Sequence, residues 1–427
     1  MKSPLLKTFT VFMLLSPMVA QATNGYFAHG YGVRNKSMGG VGAALSQDAI
    51  TAAVNPAGMA FVDNRLDVEL EMFSPHREYT VSGTPTLASG AFPLENGTRE
   101  SGDDYFVVPT IGWNHRLDES QTVGLTVYGN GGMNTTYRNF ENPLCQGGGS
   151  GTFCAGKTGI DLMQAFIAPS YAKSFFNQKF SLGIAPIFAL QSFKAKGLNS
   201  FGGFSTDAGN LSNTGRDYSY GAGVRVGAQA EVLPRVKLGF SYKSRIFMSP
   251  FNYYKGLFAE QGDFDIPESF NGGIAWQVND DLTAAFDVEH INYSSVASVG
   301  NSLLPNLQTA KLGSNGGAGF GWQDMTIYKF GVQWKQNQDW TWRGGFSYGQ
   351  QPIPSSETLF NVLAPGVQQW HLTAGLSHEL TKHDELSVGL MFSPSETISG
   401  TNPLSPSQSI AVEMYQVSVQ AGWSHRF

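Results

Sequence analysis

The feature that most constrains this chain is an alternation of period two that recurs from residue 65 to the C-terminus. In Leu66-Asp67-Val68-Glu69-Leu70-Glu71-Met72 every second side chain is apolar and each one between is acidic. The same dyad returns in VKLGFSYKSRIFM, which places Val236, Leu238, Phe240, Tyr242, Ile246 and Met248 on one face and Lys237, Lys243 and Arg245 on the other. In YQVSVQAGWSHRF it gathers Tyr415, Val417, Val419, Ala421, Trp423 and the terminal Phe427, with His425 the one polar exception. Side chains of a strand point alternately to opposite faces, so each segment has one greasy face and one polar face.

A soluble sandwich also alternates, but it buries the greasy face and leaves the charges outside. Two further signals separate the cases. Lys2 and Lys7, the apolar run Phe9 to Leu15 and Ala20-Gln21-Ala22 have the layout of an export signal, which predicts a mature chain beginning near Thr23. Tyr, Trp and Phe make up 13% of the chain and cluster near strand ends, as in a lipid-facing band with aromatic girdles around a polar lumen. The longest apolar run, Val11 to Leu15, is far short of the roughly 20 residues of a membrane-spanning helix.

Short connections are predicted at Asp118–Ser120, Asn177–Lys179, Leu233–Arg235, Asn279–Asp281, Asn337–Asp339 and Thr381–Glu385. Long Gly/Ser/Asn/Pro segments separate them, among them Pro75–Asp104, Asn134–Gly159, Lys194–Asp217, Pro250–Ile266 and Ala297–Asp324. Six short turns and seven long loops predict an all-β transmembrane barrel of fourteen antiparallel strands, with both termini in the periplasm. The segmentation is an export signal over residues 1–22, an N-terminal segment over 23–64 and a barrel over 65–427.

A barrel of fourteen strands has a lumen too wide for its own side chains to fill. The N-terminal segment lacks the dyad and is rich in small residues, which suits a plug packed on a polar wall. Its sequence, NGYFAHGYGVRNKSMGGVGAALSQDAITAAVNPAGMA, resembles the N-terminal hatch of the FadL/TodX family of outer-membrane transporters for long-chain fatty acids and other hydrophobic compounds. The resemblance is carried by Gly30 and Gly32, Gly39-Gly40, Gly42-Ala43, Asp48-Ala49 and above all Asn55-Pro56-Ala57. Pro56 fixes its own φ and biases Asn55 away from helix, so this triplet is expected to end a hatch helix and seat the turn into the first strand.

The resemblance implies passive transport. Substrate enters an apolar groove among the outer loops, moves to a lumenal pocket, and leaves sideways after the hatch rearranges, through an opening made by a kink in the third strand. That strand is QTVGLTVYGNGGMNTTY, and Gly129-Asn130-Gly131-Gly132 is the candidate kink, because glycines inside a strand mark bulges and bends. The competing reading ends the strand near Tyr128. A fatty-acid carboxylate needs a cation in an apolar tunnel, for which Arg34, Lys36, Arg225, Lys243 and Arg245 are candidates, with Lys237 of the same parity. Each of these more often pairs with a lumenal acid (Asp67, Glu69, Glu71, Glu231, Asp287 or Glu289) to hold plug and wall together. Phe201, Phe204, Leu257 and Phe258 are candidates for the outer groove, against simple packing of the loops on themselves.

Cys145 and Cys154 are the two cysteines; in an exported chain they read as a loop-stapling disulfide rather than a metal pair. No G-x-S-x-G or H-E-x-x-H motif and no metal-spaced His/Cys cluster occurs in the sequence, so neither an enzyme nor a cofactor is expected. Export removes Lys2 and Lys7 and no acid, taking the formal charge from −6 to about −8, without a basic stripe for nucleic acid. The expected partners are hydrophobic ligands, outer-membrane lipid and lipopolysaccharide, and the barrel-assembly machinery through Phe427, with the protein a monomer. A general diffusion porin is the rival reading, but it gives no reason for some forty residues ahead of the first strand.

Overall fold

The computed structural model describes residues 24–88, 90–145 and 148–427; the export-signal reading of residues 1–22 lies outside them. Fourteen antiparallel strands close into a barrel: β1 (Arg65–Gly83), β2 (Phe106–Arg116), β3 (Gln121–Asn134), β4 (Gly159–Phe175), β5 (Phe180–Lys196), β6 (Asp217–Leu233), β7 (Val236–Lys243), β8 (Ser269–Gln277), β9 (Leu282–Ile291), β10 (Met325–Lys335), β11 (Trp340–Gly349), β12 (Trp370–Glu379), β13 (Asp384–Thr401) and β14 (Gln408–Arg426). Each strand pairs with its sequence neighbours. Pairing of β1 with β14, from Arg65 opposite Arg426 to Gly83 opposite Gln408, closes the ring. Short extra pieces at Gly97–Glu100 and Phe247–Met248 add to the outer ends of β1 and β6.

The alternation translates directly into inside and outside. Val68, Leu70 and Met72 are exposed on β1 while Asp67 and Glu71 are buried, and Tyr415, Val417, Val419 and Trp423 are exposed on β14. Exposed Trp113, Trp276, Trp334, Trp342 and Trp423 ring the end with the short turns; Tyr105, Tyr218, Tyr220, Tyr328, Trp370 and Tyr415 ring the other. These are the two girdles of a membrane barrel.

Three expectations are corrected. β1 does not stop at Pro75 but runs to Gly83. Pro75 is tolerated because β2 begins only opposite Phe73, so beyond that point β1 has no β2 partner awaiting a donor. The greasy face of VKLGFSYKSRIFM does not extend to Ile246 and Met248: β7 ends at Lys243, and the chain turns both residues inward, with Ile246 bonded to Ile266. The last outer connection is not long, since β13 and β14 carry on past the membrane and join through residues 402–407.

Cys145 and Cys154 form a disulfide in the connection between β3 and β4.

Candidate functional site

Residues 24–64 lie inside the barrel and are almost entirely buried. They form short pieces, a helical turn at Val33–Lys36 and two 3₁₀ helices, Ala49–Ala53 and Pro56–Phe61. Such a segment cannot satisfy its backbone internally, so the wall does it. Asp287 of β9 accepts from the amides of Gly42 and Ala43, both at 2.8 Å. Asp67 and Glu69 of β1 accept from Ala49 and Val33, each at 2.8 Å. Thr373 of β12 accepts from Gly39 at 2.8 Å, and Ser181 of β5 donates to the Ala57 carbonyl at 2.8 Å. Gly39 and Gly40 both have positive φ, and a Cβ on Gly40 would lie 2.0 Å from the His29 carbonyl oxygen, so the pair permits a close chain crossing.

Asn55 and Asp48 act as caps. Asp48 accepts from Ile50 N at 3.0 Å. Asn55 accepts from Ala57 N at 3.1 Å while its own amide donates to the carbonyls of Ala43, at 2.6 Å, and Ala228 on β6, at 3.1 Å. The triplet Asn55-Pro56-Ala57 therefore opens the second 3₁₀ helix, with Pro56 in its first turn, instead of leading straight into β1.

The candidate cations divide sharply. Arg34 is bound by Glu385 of β13 at 2.7 Å, with Asp48 and Asp67 at 3.9 Å. Lys36 pairs with Glu71, and Arg245 with Asp265 at 2.9 Å. Lys237 lies 4.6 Å from the Phe61 ring centroid, and Glu231 is exposed at the rim that carries the short turns. Arg225 of β6 donates to the Val54 carbonyl at 2.8 Å and leaves its Nε unpartnered. Lys243 stands opposite Arg225 on β7, is 1% exposed, and its Nζ has no hydrogen-bond partner among the described residues.

Aromatic rings surround Lys243: the Phe27 centroid is 4.0 Å from Nζ and that of Phe166 5.6 Å. Phe166 packs against Tyr128, and Tyr128 against Tyr31. The Tyr128 hydroxyl is also buried without a partner. Buried polar atoms are nearly always paired, so these orphans in one aromatic cluster mark it chemically.

The same cluster reaches the wall at β3 through Tyr128. Gly129 pairs with Ala165 of β4 and Gly131 with Gln164, so Asn130 is the extra residue of a bulge. The strand does not end near Tyr128; it continues to Asn134. Its partner does change: β2 pairs with β3 only from Thr122 to Val127, leaving β3 beyond Val127 and β2 from Phe106 to Thr110 unzipped from each other. Residues 26–28 take the freed edge. Ala28 N donates to Asn130 O and Gly132 N to Tyr26 O, both at 2.9 Å. The Tyr31 hydroxyl donates to Asn130 Oδ1, also at 2.9 Å, and the Asn130 amide bonds Gln164. Arg77 of β1 reaches across to the Asn134 carbonyl, and a cleft beside it is lined by Phe73, Met133, Trp322 and Met414.

The outer-groove candidates lie under the loops. Phe201, Leu257 and Phe258 are buried in a large aromatic core beneath them, and Phe204 is half-buried against it. Leu257 and Phe258 line a narrow crevice with Phe320 and Phe360. Sequence reasoning missed Lys329, which binds Glu289 at 2.7 Å and the Gly40 carbonyl, and Arg343 and Glu385, which anchor Gln47 and Arg34. All three sit at inward parity on β10, β11 and β13, the one signal that could have found them.

No protein of curated function matches the sequence. Solved structures do match the fold. The Pseudomonas putida toluene transporter TodX aligns with a TM-score of 0.66 at 17% identity, over 93% of this chain and 99% of its own. The Ralstonia pickettii toluene transporter TbuX gives 0.64 at 18%, over 93% and 99%. A Pseudomonas aeruginosa FadL homologue gives 0.68 at 15%, over 94% and 100%. The model of the outer membrane protein transport protein family (OMPP1/FadL/TodX) matches residues 19–421, and the chain belongs to that family.

Proposed function

We propose that this outer-membrane transport channel carries amphipathic hydrophobic acids, with long-chain fatty acids as the reading that fits best. The observation that carries it is Lys243. A buried ammonium without a hydrogen-bond partner is costly; Lys243 faces only rings, whereas the other lumenal cations named above face an acid or a carbonyl, apart from Lys237, which is half-buried. A carboxylate head in the cluster would pair with Lys243 and Arg225 while its alkyl chain lies on Phe27, Tyr31 and Phe166.

Residues 24–64 serve as the hatch. The first of them double as the neighbour of β3, so the movement that uncovers the cluster also frees the wall between β2 and β3. Exposing a CH₂ to water costs about 0.8 kcal/mol, which for a C16 chain amounts to roughly 10 kcal/mol. Release sideways into lipid avoids most of that. Phe427, exposed at the end of β14, is the signal read by the assembly machinery, and the barrel works as a monomer.

Lys243→Met keeps the volume and removes the charge. With purified full-length protein, affinity for a C16 fatty acid is expected to fall at least tenfold, the range of a charge-assisted hydrogen bond of about 1.5–3 kcal/mol, while affinity for the C16 alkane stays the same. Equal affinities for acid and alkane in the parent would favour neutral hydrocarbons instead, the cargo for which TodX and TbuX are named.

A further inference from the structure

Three lysines on the outside of the barrel face no partner. Lys194 and Lys196 continue, on β5, the face that carries the exposed Leu182, Ile184, Phe188 and Leu190. Lys157 comes two residues before β4, whose Gly159 stands opposite Lys196. All three line one cleft with Asp103, Asn134 and Asp161. None of the three ammonium groups makes a hydrogen bond or ion pair with a described residue. The acids in the cleft are engaged elsewhere: Asp161, opposite Lys194, is held by Arg216, and Asp103 accepts from Thr136 at 2.7 Å. Three cations of the cleft thus stand against two carboxylates that are already engaged, on a chain of net charge −6.

Height identifies what they meet. Leu190 is the last apolar residue on that face, and Tyr220 and Tyr218 of the outer girdle lie opposite Leu190 and Ser192. At about 3.3 Å per residue, Lys194 and Lys196 are roughly 13 and 20 Å further along the strand, or about 10–14 Å along the membrane normal at the usual tilt. Their flexible stems reach back from there toward the interface. The outer end of the wall at β1 and β14 has the opposite sign: Glu78 stands between Glu100 and Glu413 in register. Charge therefore differs between these two sides of the barrel, and of the two it is the β4–β5 side that attracts phosphate directly.

We infer that the cleft of Lys157, Lys194 and Lys196 binds the phosphates of the outer-leaflet glycolipid, holding one lipid A moiety beside the unzipped edge of β3, whose Asn134 lines the same cleft. Each lysine presents a compact, rotatable charge suited to a phosphate.

The test uses the full chain, purified in detergent and stripped of lipid, offered bisphosphorylated lipid A, the same lipid with both phosphates removed, and inorganic phosphate, with bound lipid read by native mass spectrometry. The bisphosphorylated lipid is expected to bind at least tenfold more tightly than the dephosphorylated one. The triple variant Lys157→Gln, Lys194→Gln, Lys196→Gln is expected to lose ten- to a hundredfold in affinity, at roughly fivefold per lysine, while keeping its heat-resistant mobility. The triple variant Glu78→Gln, Glu100→Gln, Glu413→Gln should bind no more weakly than the parent. If the lysine triple does not fold, Lys194→Gln and Lys196→Gln are read singly, each expected to cost several-fold. Unchanged binding in the lysine variants, equal binding of the two lipids, equal loss in the acidic variant, or full displacement by millimolar inorganic phosphate would each overturn the assignment.

Discussion

Gly131→Ala tests whether the start of the hatch is clasped to β3. An added Cβ would lie 1.8 Å from the Tyr26 carbonyl oxygen, with the Phe27 Cα at 3.0 Å. An ordinary carbon–oxygen contact needs about 3.2 Å, so Tyr26 must retreat by more than 1 Å. The bonds from Gly132 N to Tyr26 O and from Ala28 N to Asn130 O, both 2.9 Å, then pass the length at which a hydrogen bond survives. At about 1 kcal/mol net for each, the loss is roughly 2 kcal/mol, or about thirtyfold in the population with the clasp open. Hydrogen–deuterium exchange reads this directly: the Ala28 amide should exchange about thirtyfold faster, whereas amides of β3 paired with β4 and the heat resistance of the barrel should be unaffected. Parental exchange at Ala28 in a folded variant would refute the clasp.

Deleting residues 24–60 while keeping residues 1–23 should leave a barrel that inserts and conducts ions in planar bilayers, because Asp67, Glu71 and Asp287 would then face open lumen; a deletion as closed as the parent removes the plug reading. Asp263, in the connection between β7 and β8, has its carboxyl pushed up to about 7 by burial and by the neighbouring Asp265. A raised carboxyl favours the folded loop fully below the ordinary value near 4 and loses that contribution as pH rises through about 7. Protease cleavage within residues 249–268 should accordingly increase from pH 5.5 to 8, and Asp263→Asn should flatten the profile; a parent insensitive to pH over that range would count against it.

What the sequence made legible follows from which forces are local. Dyad alternation reports lipid on one side and lumen on the other, so strand count, closure and the six short turns could be read from residues such as Leu66–Met72. Above the membrane both faces meet polar surroundings and the pattern fades. That is why the ends of β1, β13 and β14 and the inward turn at Ile246 were missed. The site was less legible for a different reason. Arg34, Lys36 and Lys243 look alike in sequence, and only the register of β1, β7 and β13 decides that two of them meet acids and one does not. The glycines of β3 flagged a bulge, but their sequence gave no sign that the freed edge is taken by residues a hundred positions earlier.

The distribution of contacts along residues 24–64 limits how much of that segment a ligand can displace. From Val33 onward the ties to the wall include five charged or charge-assisted ones beside the neutral bonds: Glu69, Glu71, Glu385, Asp67 and Asp287 each bind a backbone amide or a cation. Breaking one of them leaves a buried charge bare, at several kcal/mol, and a hydrocarbon offers nothing in return. Residues 24–31 are held otherwise. Tyr26 and Phe27 pack on Tyr293, Tyr26 also packs on Phe264 and Trp322, and two backbone bonds clasp β3. An apolar ligand can replace those ring contacts like for like, and its own differential affinity must then supply the roughly 2 kcal/mol of the clasp and about 1 kcal/mol each for the Tyr31–Asn130 and Tyr293–Asn24 hydrogen bonds, still a few kcal/mol, the scale on which ligands shift conformational equilibria. On the proposed reading of residues 24–64 as a hatch, gating without an energy source therefore belongs to residues 24–31, with the charged body of the segment remaining in place.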